Sequence, residues 1–199
     1  MKNYLQLFFV GGLTSLLFPP IFFIPIGFIT IPYFYYKITY LNFLKPLKVS
    51  FFEGLSYGLG LNFFLFFWLK NPFFTDIETK KLFFLSYFFV IYASLFFALF
   101  VLSLRFFKNY KIQLVVFPIL FVLFEILRSK FLISFPWNLF GYIFANQLYL
   151  LKLIKYVGIY GISYLAIIIF HLEVYCLAVL NLVRTYLLAQ IQQLIHTLK

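Results

Sequence analysis

An all-α, polytopic membrane bundle of about six transmembrane helices, with one re-entrant or interfacial segment, is the fold class this sequence predicts. Three observations carry that expectation. Hydrophobic residues make up 65% of the 199, aromatic residues 26% and charged residues only 11%, at a mean hydropathy of +1.03, which leaves too little polar surface for a water-facing domain. Several windows of about twenty residues carry no charge, so they cannot be amphipathic core helices of a soluble protein. The formal net charge of +11 comes from Lys and Arg set mostly between apolar runs, where they orient a membrane protein and contact anionic headgroups. With no basic helix face and no solvated domain to carry one, nucleic-acid binding is the poorer reading of that charge.

The elements follow in order. Lys2 and the apolar run to Phe18 resemble a signal peptide, but Pro19-Pro20 and further apolar sequence replace a small-residue cleavage site, so the stretch reads as a retained first span. Tyr4 to Phe18 is short for a hydrocarbon core of roughly 30 Å. Pro19 and Pro20 end it, because proline lacks the amide proton and biases the preceding residue away from helix. A second span is expected from Phe22 to Leu41, with Pro25 near its start and a kink at Pro32. Lys37, Lys45 and Lys48 bracket the next loop and suggest a cytoplasmic position.

The third span, Phe51 to Leu69, carries Gly54 and Gly58 four apart, with Gly60 and Asn62 behind them. Small residues at that spacing let helix backbones approach in lipid. Glu53, near the span's end, reads as a snorkelling carboxylate within reach of Lys48. Lys70 to Lys81 is a loop of mixed charge, placed outside, and Leu82 to Phe107 is the fourth span, terminated by Arg105, Lys108 and Lys111. A fifth begins near Ile112, contains Pro118 and reaches Glu125 to Arg128; the last runs from Val157 to Val183. With the N-terminus inside, nine of the 16 basic residues lie on the inner side, a small bias that puts Glu125 to Tyr164 on the outer face. The chain divides into a transmembrane domain, 1–183, and an amphipathic tail, 184–199, whose apolar positions 183, 187, 191, 194 and 195 recur at helical spacing.

The stretch from Phe124 to Tyr164 holds the chemistry. Glu125 and Arg128, three apart on one helix, can bring their side chains together; they read either as a functional pair or as a structural ion pair pinning the helix end. Between Ser129 and Tyr156 no clean spanning run occurs, yet the segment is too apolar for a solvated loop. Phe135-Pro136-Trp137 forces an extended turn, and Asn138 with Gly141 permits a re-entrant excursion, a plain interfacial anchor being the alternative. Gly158 and Gly161 allow close packing or a bend where the last span begins. His171 and Glu173, two apart, fall on roughly opposite helix faces and cannot form one site alone; a partner on another helix would be needed, and no sequence signal names one. The single cysteine, Cys176, excludes an intramolecular disulfide and lies in an apolar run, where a thiol is inert.

At these residues the chain resembles apolipoprotein N-acyltransferase. The resemblance is carried by Phe124-Glu125-Ile126-Leu127-Arg128, by Phe135-Pro136-Trp137-Asn138 with Gly141-Tyr142, and by Tyr160-Gly161-Ile162-Ser163; Phe18-Pro19-Pro20 and Phe67-Trp68-Leu69 fit the same pattern. It covers about residues 5 to 170 and concerns the family's N-terminal membrane part, which precedes an external nitrilase-like domain with a Glu-Lys-Cys triad. In that family the cysteine takes an acyl chain from a phospholipid as a thioester and passes it to the α-amino group of a diacylglyceryl-cysteine.

None of those catalytic residues carries over to a position here. What the resemblance implies is that Glu125, Arg128, Pro136, Trp137, Asn138, Gly141, Tyr142 and Gly161 belong to the membrane face on which the catalytic domain sits and lipid substrates arrive. The Phe-free tail departs from the family and suggests a truncated or split gene product, inactive alone, in the bacterial plasma membrane. The implied partners are membrane phospholipid and a separately encoded nitrilase-like chain; no cofactor and no nucleic acid is implied. The competing reading is a non-enzymatic lipid-binding scaffold or small transporter subunit, although the inverted repeats expected of transport are not evident.

Overall fold

The computed structural model describes residues 2–39, 44–131 and 136–197, with side chains described for residues 3–172, 174 and 175 within those ranges. Six α-helices and no strand occur among them: α1 (Lys2–Thr14), α2 (Gly27–Thr39), α3 (Leu47–Leu65), α4 (Leu85–Leu104), α5 (Tyr110–Lys130) and α6 (Leu148–Thr197). By length and hydropathy three helical stretches can cross a membrane: Thr79–Leu104, Tyr110–Lys130 and Leu148–Leu172. A fourth qualifies if α3 and the 3-10 helix Phe67–Phe74, bent by 45° from it, form one span.

The difference from about six spans lies at the N-terminus. α1 and α2 have 13 residues each, and a helix of that length rises only about 20 Å. Prolines are the cause. The chain breaks at Pro19 and Pro20, Pro25 sits in the 3-10 turn Ile24–Ile26, and helix resumes only at Gly27. α2 tolerates the internal Pro32.

α6 departs from expectation in the other direction. It begins at Leu148, nine residues before Val157, because Leu150 and Ile154, four apart, pack against the core while Lys152 and Lys155 take other positions around the helix. Gly158 interrupts it at φ +68°, ψ 174°, a conformation essentially restricted to glycine, and the helix then continues through 184–197. The Phe135 part of the aromatic-proline turn, the end of the second expected span beyond Thr39, and the side chains of Glu173 and Cys176 lie outside the described residues.

Two glycine contacts hold the first half of the bundle together. A Cβ on Gly60 would stand 1.9 Å from the Phe8 carbonyl oxygen, and one on Gly11 would stand 2.1 Å from that of Tyr57, so α1 and α3 touch backbone to backbone. Gly54 and Gly58 do the same for α3 and α4, where a Cβ would meet Phe97 O at 2.4 Å and Ser94 Cα at 2.9 Å. Lipid tails are as apolar as leucine, so such close contact supplies the association energy that water would otherwise drive. Beside this interface Asn62 Nδ2 donates to Gly58 O and to Ser94 Oγ, at 2.9 and 3.2 Å.

Aromatic rings fill the centre. Phe34 stacks on Tyr57 at 3.7 Å, and Phe100 packs edge-on against Phe117 and Phe121. Phe121 meets Phe140 at 4.7 Å, which carries the core into the non-helical stretch before α6. Pro118 in α5 cannot donate to the Leu114 carbonyl one turn earlier. Tyr175 of α6 donates to it instead, at 2.8 Å, so a proline defect in one helix becomes a tie to another.

Glu53 does not snorkel. It is 2% exposed and pairs with Lys45 at 2.9 Å, whose ammonium also donates to Lys37 O at the end of α2; Lys48 is exposed. A cation beside the last carbonyls of α2 and the Glu53 carboxylate satisfies both helix end and buried charge, which Lys48, pointing outward, cannot do.

Gly60→Leu is expected to lower the thermal midpoint of the protein in detergent, at a cost of at least about 1–3 kcal/mol from overpacking. Ile91→Leu on a half-exposed face of α4 should leave it unchanged. Equal midpoints for the two variants would mean that the α1–α3 contact is not a constraint.

Candidate functional site

The segment 136–147 between α5 and α6 has no long helix of its own, only the 3-10 turn Phe140–Phe144. Its buried backbone groups must find hydrogen-bond partners in protein, because neither water nor lipid supplies them there. Here the partners are side chains of the flanking helices. Arg128, in the last turn of α5, donates from Nη1 to Trp137 O at 3.1 Å and from Nη2 to Asn138 O at 3.2 Å. The planar guanidinium spans two successive carbonyls, a reach that a lysine ammonium lacks.

Glu125, one turn earlier, accepts the Phe140 N–H at 2.6 Å through Oε1. Ser163 of α6 accepts the Gly141 N–H at 2.8 Å. Four residues of the segment, 137, 138, 140 and 141, are thereby held by three side chains from two helices. The Ser129 and Tyr160 hydroxyls, 2.6 Å apart, close the α5–α6 seam beside them, and Tyr92 of α4 donates to the Phe131 carbonyl.

Glu125 and Arg128 are 5% and 6% exposed, and they do not form the direct ion pair that their spacing permits. Their charges still attract at longer range, but each hydrogen-bonds backbone of the segment rather than the other side chain. The second carboxylate oxygen, Oε2, has no partner in full hydrogen-bond geometry, and neither does Asn138 Nδ2. The Ser163 hydroxyl lies beside the carboxylate.

Each of the other expected residues has a place. Asn138 sits at φ +56°, a left-handed conformation that asparagine tolerates better than most residues. Gly141 packs against α6, where a Cβ would stand 2.7 Å from Ile159 O. Gly161 faces Val157 across the break at Gly158, with 2.6 Å to a hypothetical Cβ. Pro136, Trp137 and Tyr142 are exposed and, with Phe18, Pro19 and Trp68, line an open pocket of about 430 Å³. The indole rings of Trp68 and Trp137 are 5.3 Å apart at its wall.

His171 is not part of this assembly. Its ring is fully buried among Tyr35, Phe117 and Tyr175, and neither nitrogen is hydrogen-bonded. Ser163 was legible as part of Tyr160-Gly161-Ile162-Ser163, but its role required knowing that Gly141 lies against it. Trp68 belongs to the site although it is 69 residues from Trp137, and no local signal joins the two. Among the described residues no group of three or more His, Cys, Asp or Glu side chains converges on one point.

Fold and site together define a membrane-embedded helical domain whose buried polar clamp shapes an aromatic pocket at one end of the bundle. The family described as "Apolipoprotein N-acyltransferase N-terminal domain" matches residues 10–172, and the chain belongs to that family. Similar proteins include the apolipoprotein N-acyltransferase of Rickettsia prowazekii (strain Madrid E), 33% identical over 80% of this chain and 32% of that protein. Those of Rickettsia typhi (strain ATCC VR-144 / Wilmington) and Wigglesworthia glossinidia brevipalpis are 31% and 34% identical over 84% and 85% of this chain, each over 34% of the relative. The chain thus spans about a third of the length of the curated relatives it matches.

Glu125→Leu, which strands the Phe140 N–H and leaves Arg128 uncompensated, should destabilise by about 3–5 kcal/mol. Glu125→Gln keeps an acceptor for Phe140 and should cost less than half of that. Thermal unfolding in detergent distinguishes them, and equal losses would show that the hydrogen bond to Phe140 is not what Glu125 contributes.

Proposed function

We propose that this chain forms the membrane platform of an apolipoprotein N-acyltransferase, which moves an acyl chain from a membrane phospholipid to the amino terminus of a lipoprotein in the bacterial plasma membrane. The observation that carries this reading is the pocket between Trp68, Pro136, Trp137 and Tyr142, aromatic and open, whose floor is held by Arg128, Glu125 and Ser163. Ligand sites of this kind combine apolar walls with a few placed polar groups. Acyl chains suit the walls. The Tyr142 hydroxyl suits an ester or headgroup at the mouth.

The platform crosses the membrane several times, with the segment 136–147 on its outer face and the polar 184–197 portion of α6 as a surface-bound tail. Transfer through a thioester requires a thiolate, a carboxylate base and a cation beside the oxyanion. The described side chains present no such set. We place that chemistry in a nitrilase-like domain outside these 199 residues, continuous with them or encoded separately, and the platform alone is inactive in this reading.

The test is to co-express the chain with a nitrilase-like domain bearing a Glu-Lys-Cys triad, in cells depleted of their own N-acyltransferase, and to follow N-acylation of a lipoprotein by mass spectrometry. Acylation is expected only with both pieces present. Trp137→Ala should reduce it about tenfold, the scale of losing an aromatic anchor, while leaving the thermal midpoint of the platform in place. A pair that associates in the membrane yet acylates nothing would overturn the enzymatic reading in favour of a lipid-binding scaffold.

A further inference from the structure

Next to the aromatic pocket lies a second, smaller and partly open cavity, bordered by α3, α4, α5 and the turn before α6. Its polar lining is Asn62, Glu125, Arg128 and Asn138, and its apolar lining includes Phe121 and Phe140. Two of those polar groups carry buried atoms without a hydrogen bond in full geometry: Asn138 Nδ2, and Glu125 Oε2, whose carboxylate has the Ser163 hydroxyl beside it. One is an acceptor and the other a donor. A buried acceptor or donor left unsatisfied costs on the order of 1–3 kcal/mol, and both residues line one small space, which calls for a bridging group.

We infer that this cavity is a binding site for one internal water, which donates to Glu125 Oε2 and accepts from Asn138 Nδ2. The size fits. About 20 Å³ is open to the centre of a water, and one water needs about 10–15 Å³ on that measure. The chemistry fits as well, since the water's second proton has the Asn62 side chain within the same lining.

Asn138 lines both this cavity and the open Trp68–Trp137 pocket and so stands between them. Water exchanges past that side chain. The bridge adds an indirect tie between Glu125 and Asn138 to the direct ones at 137, 138 and 140, so the turn that shapes the outer pocket is held partly by solvent. None of this depends on acyl transfer, and the test below needs no activity.

Millisecond X-ray radiolysis of the full chain in nanodiscs, read by mass spectrometry, generates hydroxyl radicals from bound water and labels the side chains beside it. Phe121 and Phe140, 4% and 2% exposed, are expected to be labelled, whereas Phe34 and Phe170, also buried but outside the lining, are not. Leu61→Phe, which puts extra volume into the lining, should reduce labelling of Phe121 and Phe140 to the level of Phe34 at unchanged helicity. Labelling of Phe121 and Phe140 no higher than that of Phe34 in the unsubstituted protein would overturn the site, whether or not the variant folds.

Discussion

The constraint on which the rest depends is that buried irregular backbone must be hydrogen-bonded by protein. A helix meets this condition internally, and the stretch between α5 and α6 does not. Arg128, Glu125 and Ser163 meet it from outside, donating to the carbonyls of Trp137 and Asn138 and accepting from the amides of Phe140 and Gly141. Burying an arginine and a glutamate is costly, and the cost is offset only when each is fully engaged. Their value here is positional. They let a short turn hold Trp137 outward and Phe140 inward, so that one segment contributes to both the pocket wall and the core.

The core transmits that position to the other helices. Phe140 contacts Phe18 at the end of the first apolar stretch and Phe121 in α5, and through Phe100 and Phe117 the ring network reaches Phe34 and Tyr57. Glycine contacts fix the spacing of α1, α3 and α4, which brings Trp68, just past the end of α3, up to Trp137. The pocket is therefore built from three separate parts of the chain, around residues 18, 68 and 137. A domain with few polar residues has concentrated them where the backbone needs them.

The same economy explains the polar groups away from the site. Lys45 serves Glu53 and the end of α2 together, Arg105 ties α4 to Ser50 of α3, and Tyr175 repairs the carbonyl that Pro118 leaves open. His171 is the exception, enclosed by aromatic rings without a hydrogen bond to either nitrogen. Shape then matters more than charge at the wide pocket, which is aromatic and open, while the nearby Glu125 and Arg128 are buried.

Composition and the placement of charge determined that the chain is helical and resides in a membrane, because those properties depend only on averages over short windows. Proline positions determined where the early helices stop, and glycine spacing determined which helix faces could approach, since both act locally on the backbone. The motif residues were legible for the same reason: Glu125, Arg128, Trp137 and Asn138 are the unusual residues in an apolar stretch. Only the tertiary structure decided what they touch. Glu125 and Arg128, three apart, were expected to meet each other, yet their hydrogen bonds go to backbone 9 to 15 residues away. Glu53 took Lys45 rather than Lys48, and α6 started early because Leu150 and Ile154 found the core. A sequence window records which groups need partners; the partner is chosen by chain packing over longer separations, where the unmet backbone of one segment outcompetes the nearer side chain.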